Sequence, residues 1–70
     1  MDEDRKKFVA RLSIAMIHKE VTRKEMAEGT GISIGVLNQI FQGAPVSNKR
    51  MNILRKFTGF SETEFIQLKL

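Results

Sequence analysis

Four hydroxyl residues, Thr22, Ser33, Ser47 and Ser61, each stand just ahead of a run whose apolar residues recur at helical spacing. A hydroxyl in that place accepts from the backbone N–H groups that the first turn of a helix leaves unpaired. The chain therefore reads as a succession of short helices. Two of the four are complete capping boxes, Thr22 with Glu25 and Ser61 with Glu64. Ahead of them, Phe8, Leu12, Ala15 and Met16 form one apolar stripe of a first helix from about Glu3 to Lys19. Acids lead that helix and His18 and Lys19 close it, as the helix dipole prefers.

The later helices follow from the same punctuation. The second starts near Arg23, and Gly29, Thr30 and Gly31 end it within about two turns. The third runs from a cap at Ser33 to Gln42, with Leu37, Ile40 and Phe41 on one face and Gly43 as its C-terminal glycine. Pro45 falls in the next loop. Ser47 or Asn48 caps a fourth helix that turns Met51, Leu54 and Phe57 inward and stops at Gly59. The last is short and carries Phe65 and Leu68. No stretch alternates apolar and polar residues long enough for a strand. The expected fold is all-α, a compact bundle of about five short helices, with residues 1–70 as one domain.

Composition narrows the function. A chain of 70 residues closes little more than one small core. A deep substrate pocket would compete with that core, and no nucleophile–base–orienter set is visible, so an enzyme is not expected. With no cysteine and a single histidine, His18, neither a disulfide nor a one-chain zinc site is expected, and no cofactor is called for. His18 reads as a helix-end or surface residue. The longest apolar run, Ile14–Ile17, is far short of a membrane span, and no export signal follows the charged start; a cytoplasmic protein is the expectation. The formal charge is +4, but it is uneven. Residues 25–43 hold two acids and no base, between basic segments that end with Arg23 and Lys24 and resume with Lys49, Arg50, Arg55 and Lys56. Those four bases read equally as a solubilising face or as phosphate contacts. Arg5, Lys6 and Lys7 read as a solvated first turn.

The segment from Thr22 to Gly43 is the most specific part of the chain. It is a capped helix, a tight turn around Gly31-Ile32-Ser33, and a second capped helix ending in glycine. Ala27 is small where two helices cross, Gly31 allows a positive φ in the turn, and Ile32 and Leu37 are apolar where the pair packs. This order matches a helix-turn-helix, whose second helix enters the DNA major groove.

On these residues the chain resembles the lambda-repressor/Cro-like helix-turn-helix family of phage and bacterial regulators. The resemblance covers about Val21 to Phe65. It is closest in Leu37-Asn-Gln-Ile-Phe-Gln-Gly43 and Leu54-Arg-Lys-Phe-Thr-Gly-Phe-Ser61. It implies a lone DNA-binding domain of Cro or antirepressor type that acts in a bacterial host cell and binds operator DNA, with a homodimer as one arrangement. Carried over by position, Ile34, Gly35, Asn38 and Gln39 lie on the base-facing side of the third helix. Arg23, Gln42, Asn48, Lys49 and Arg50 lie beside the phosphate backbone. At about 100° per residue, Gly35, Asn38, Gln39 and Gln42 face away from Leu37, Ile40 and Phe41, with Ile34 at the rim.

The chain departs from the family where its first recognition-helix positions are usually polar, since here they are Ile34 and Gly35. Isoleucine can meet only a thymine methyl, and glycine reads nothing directly. Base reading then rests on Asn38 and Gln39, amides able to bond an adenine edge in two places. The same uncharged helix, with Val36 on its other flank, also suits a protein partner. A second function is therefore an antirepressor that binds a repressor protein and alters or blocks its DNA binding, similar to the modulator-of-repression proteins of temperate phages. Phe60, Phe65, Ile66, Leu68 and Leu70 offer more apolar surface than one short helix needs, which fits a dimer or partner contact as well as the core.

Overall fold

A computed structural model describes residues 3–69. Five helices follow one another: α1 (Glu3–Lys19), α2 (Arg23–Thr30), α3 (Ile34–Phe41), α4 (Asn48–Thr58) and α5 (Glu62–Ile66). There is no strand among the described residues. The radius of gyration, 10.9 Å, is close to the roughly 11 Å expected of a fully compact chain of this length.

The caps form as the sequence dictates. Glu25 N–H donates to Thr22 Oγ1 (3.1 Å) while Thr22 N–H donates to the Glu25 carboxylate (3.0 Å). Ser61 and Glu64 repeat the exchange at 3.2 and 2.9 Å. Ser33 caps α3 through Val36 N–H, and Ser47, rather than Asn48, caps α4 through Arg50 N–H. Helix α1 ends differently. Glu20 takes a left-handed φ of 54°, and Val21 N–H reaches back to Met16 O (2.9 Å). Such a turn is usually made by glycine.

One apolar cluster joins all five helices. Leu12, Met26, Leu37, Ile40 and Leu54 are fully buried, with Phe8, Ala15, Met16, Ile32 and Phe65 around them. Burying each large side chain contributes about 1.5–3 kcal/mol. Helix α4 packs on α1 and α2, α3 on α2, and α5 on α1. The last contact is a ring pair, Phe8 and Phe65, with centroids 5.6 Å apart. Phe65 is therefore a core residue and not part of an external dimer or partner surface. The ring of Phe8 covers it, and only 5% of it is exposed. At the α4–α5 corner, Arg55 Nη1 donates to Phe60 O (2.8 Å), and Lys19 Nζ lies 4.7 Å over the Phe60 ring.

Gly29 has a role beyond weakening α2. A Cβ at this position would stand 2.0 Å from Cε1 of Phe57, so the ring of an α4 residue fills the space that a side chain on α2 would take. Gly29→Ala is expected to lower unfolding stability by about 1–3 kcal/mol through overpacking, despite a gain in helix propensity of up to about 1 kcal/mol. Urea denaturation of Gly29→Ala, of Phe57→Leu and of the two combined checks this. The double variant should lose less than the two single changes added together.

The capping carboxylates make stability depend on pH. Thr22 N–H and hydroxyl hold Glu25 below its ordinary value of 4.5, and Ser61 does the same for Glu64. A carboxyl whose pKa is lower in the folded chain than in the unfolded one stabilises fully above its unfolded value. That contribution fades as pH falls through the folded one. The melting temperature should therefore drop as pH is taken below 4.5. It should drop less in the variant carrying both Glu25→Gln and Glu64→Gln, which keeps an acceptor but does not titrate.

Candidate nucleic-acid interface

Helices α2 and α3 are joined by only Gly31, Ile32 and Ser33. Gly31 takes φ 77° and its N–H closes α2 on Ala27 O (3.0 Å). Thr30 Oγ1 donates to Met26 O (2.7 Å) and accepts from Ile32 N–H (3.2 Å), which pins the turn from the α2 side. Ile32 plugs the turn into the core at 8% exposure, and Ser33 then opens α3. The short connection is thus fixed by a glycine, two hydroxyls and one buried isoleucine.

Helix α3 buries Leu37 and Ile40 and half-buries Val36, Asn38 and Phe41. It leaves Ile34, Gly35 and Gln39 exposed, with Gln42 exposed at its C-cap. Ile34 is 48% exposed and stands apart from the residues packed on the core, so it belongs to the surface. Nothing lies within 4 Å of where a Gly35 Cβ would be. No charged residue occurs in α3.

Arg23 and Asn38, fifteen residues apart, come together. Arg23 Nη1 donates to Asn38 Oδ1 (2.8 Å), and the guanidinium lies 4.3 Å over the ring of Phe41. Arg23 thus ties the start of α2 to the middle of α3. Its guanidinium is held on the protein by one N–H bond and by the ring while the residue stays exposed, and Asn38 has its amide oxygen engaged. Cationic stacking on a ring is not legible from helical spacing within either helix, because it joins two of them.

Asn48, Lys49 and Arg50 are exposed in the first turn of α4. Two cations at the positive end of a helix with no acid among them are locally unfavourable, by about 0.3–1 kcal/mol each. An anion beside that turn would relieve the conflict. Of the other apolar residues expected at a partner surface, Ile66 is 55% exposed, while Phe60 and Leu68 are half-buried. Leu70 lies outside the described residues.

Ile17 is a surface residue that no motif in the sequence singles out. It is 76% exposed, on the side of α1 opposite its buried stripe. With Met16, Val21, Phe41 and Arg23 it lines a shallow depression of about 450 Å³ beside α3. The signal was its position outside the Phe8–Leu12–Ala15–Met16 stripe.

Among the described residues no group of acids or histidine could hold a metal ion, and no helix is long and apolar enough to cross a membrane. The chain is a small all-α, five-helix bundle whose second and third helices meet at a three-residue turn. Comparison with protein-family models, with curated proteins and with solved structures finds no match.

A glycine in an exposed helix position with open space around it lowers helix stability relative to alanine. Gly35→Ala should therefore raise unfolding stability by about 0.5–1 kcal/mol, read by urea denaturation. A loss of stability would show that this stretch of α3 is not open.

Proposed function

We propose that this chain is a small transcription regulator of Cro type, acting in a bacterial cytoplasm, that binds duplex operator DNA with the exposed side of α3. The observation that carries the reading is the joining of two capped eight-residue helices by Gly31-Ile32-Ser33, with the second helix offering an uncharged, amide-bearing side to its surroundings. The resemblance of Val21–Phe65 to the lambda-repressor/Cro-like family supports it. In this reading Gln39 contacts a base edge, Ile34 meets a thymine methyl, and Gly35 allows close approach to the groove floor. Asn48, Lys49 and Arg50 at the start of α4 meet phosphates, as does Gln42.

A second reading is favoured by one specific observation, the apolar depression around Ile17 and Phe41 beside α3. An antirepressor would seat an apolar side chain of a repressor protein there and cover Ile34 in the same contact.

Selection from a randomised duplex pool at low and near-physiological salt separates the two. A DNA reader enriches a defined site that survives the higher salt. On that site Gln39→Ala should cost about 1–3 kcal/mol, while Lys49→Ala should weaken all sequences alike and lower the salt slope by about one. Weak retention without a consensus would sink the DNA reading. A repressor complex broken by Ile34→Asp, with the fold intact, would then carry the second.

A further inference from the structure

Building on the DNA-binding reading above, we propose that Arg23 is a positioning residue that sets Asn38 as a hydrogen-bond donor, so that the base opposite Asn38 is guanine. A guanidinium carries five N–H donors and no acceptor. The Asn38 carboxamide must therefore turn its oxygen to Arg23 Nη1, as it does at 2.8 Å, and its NH2 group faces the other way. Flipping the amide would set N–H against a cation and forfeit a charge-assisted bond.

Arg23 is itself held. It follows the capping residue Thr22 directly, and its guanidinium stacks on Phe41 at 4.3 Å. Phe41 stands three residues after Asn38, so ring and amide lie on neighbouring turns of α3 and grip one side chain between them. The bond also draws electron density from the Asn38 oxygen, which leaves the oxygen a poorer acceptor and the NH2 a better donor.

That polarity selects a base. Adenine shows one acceptor and one donor in the major groove and is read by both ends of an amide; thymine shows a single acceptor, O4, beside its methyl group, whereas guanine shows two adjacent acceptors, N7 and O6, that one NH2 group can meet together. An asparagine whose oxygen is already engaged by a cation fits guanine. Gln39, exposed on the same helix, has no such contact and keeps both ends of its amide for adenine. The two neighbouring amides thus have different preferences, although the sequence alone makes them equivalent.

The test is duplex selection by the full chain and by three variants, with melting curves to establish that each is folded. Asn38→Ala identifies the base position that Asn38 reads, as the one whose preference disappears. The wild type should enrich guanine at that position. Arg23→Met, which keeps an apolar stem on Phe41, should still enrich the rest of the site but lose the guanine preference by about tenfold or more. Asn38→Asp keeps an acceptor for Arg23 and has no donor, so it should lose guanine as well. Adenine or thymine at that position in the wild type, or guanine retained by Arg23→Met, overturns the proposal while leaving DNA reading in place. No consensus for the wild type overturns both. In the DNA-free protein, the Asn38 side-chain amide resonances should move in Arg23→Met by more than those of Gln39. Unmoved Asn38 resonances would show that the contact does not form and would overturn the proposal on that ground alone.

Discussion

No helix from α2 to α5 is long enough to stand alone. They have 8, 8, 11 and 5 residues, and isolated helices below about 12–15 residues are marginal in water. Each exists because a hydroxyl satisfies its first N–H groups and because one or two of its side chains enter a core shared with the others. Capping and burial are therefore coupled. A cap fixes where a helix starts, and the start decides which residues face Leu12, Met26 and Leu54. Replacing a capping hydroxyl would cost about 0.5–2 kcal/mol locally and would also loosen the register of the buried face.

This coupling explains why so much of the fold is legible in the sequence. Thr22, Ser33, Ser47 and Ser61 each mark a helix start directly, and the apolar stripes assign the inner faces of α1 and α3. Other features depend on pairs of elements that no local pattern relates. Glu20 closes α1 in a left-handed turn, which its residue type does not announce. Gly29 is a helix breaker by propensity, but here it makes room for Phe57 of α4. Phe65 looks like surplus apolar surface until Phe8, far away in the chain, covers it.

The surface is less legible in the sequence, for the same reason. Helical geometry is enough to put Gly35, Gln39 and Gln42 outside. It does not say that Arg23 reaches across to Asn38, because that contact depends on how α2 and α3 are held by the Gly31–Ser33 turn. A residue expected beside phosphate and one expected on a base form a single unit with Phe41. The turn that sets α3 against α2 also brings their polar residues together.

What distinguishes α3 and its surroundings is a concentration of features that local stability would not choose. Gly35 weakens an exposed helix, Ile34 and Ile17 leave large apolar side chains in water, and Lys49 and Arg50 crowd the positive end of α4. In α5, by contrast, Ser61, Glu64 and Phe65 all favour the same short helix, and Ile66 alone leaves an apolar side chain 55% exposed. Sequences are expected to violate local rules mainly where function demands it. Each of these would be relieved by an outside partner: a bare helix turn that admits close approach, apolar side chains that gain by being covered, and cations that gain by meeting an anion. Duplex DNA supplies all three, in the groove floor, the thymine methyl and the phosphate. A protein partner supplies the second more fully and the third only through its own acids. The uncompensated cations at the start of α4 are therefore what weighs toward nucleic acid, and the exposure of Ile17 is what weighs toward protein.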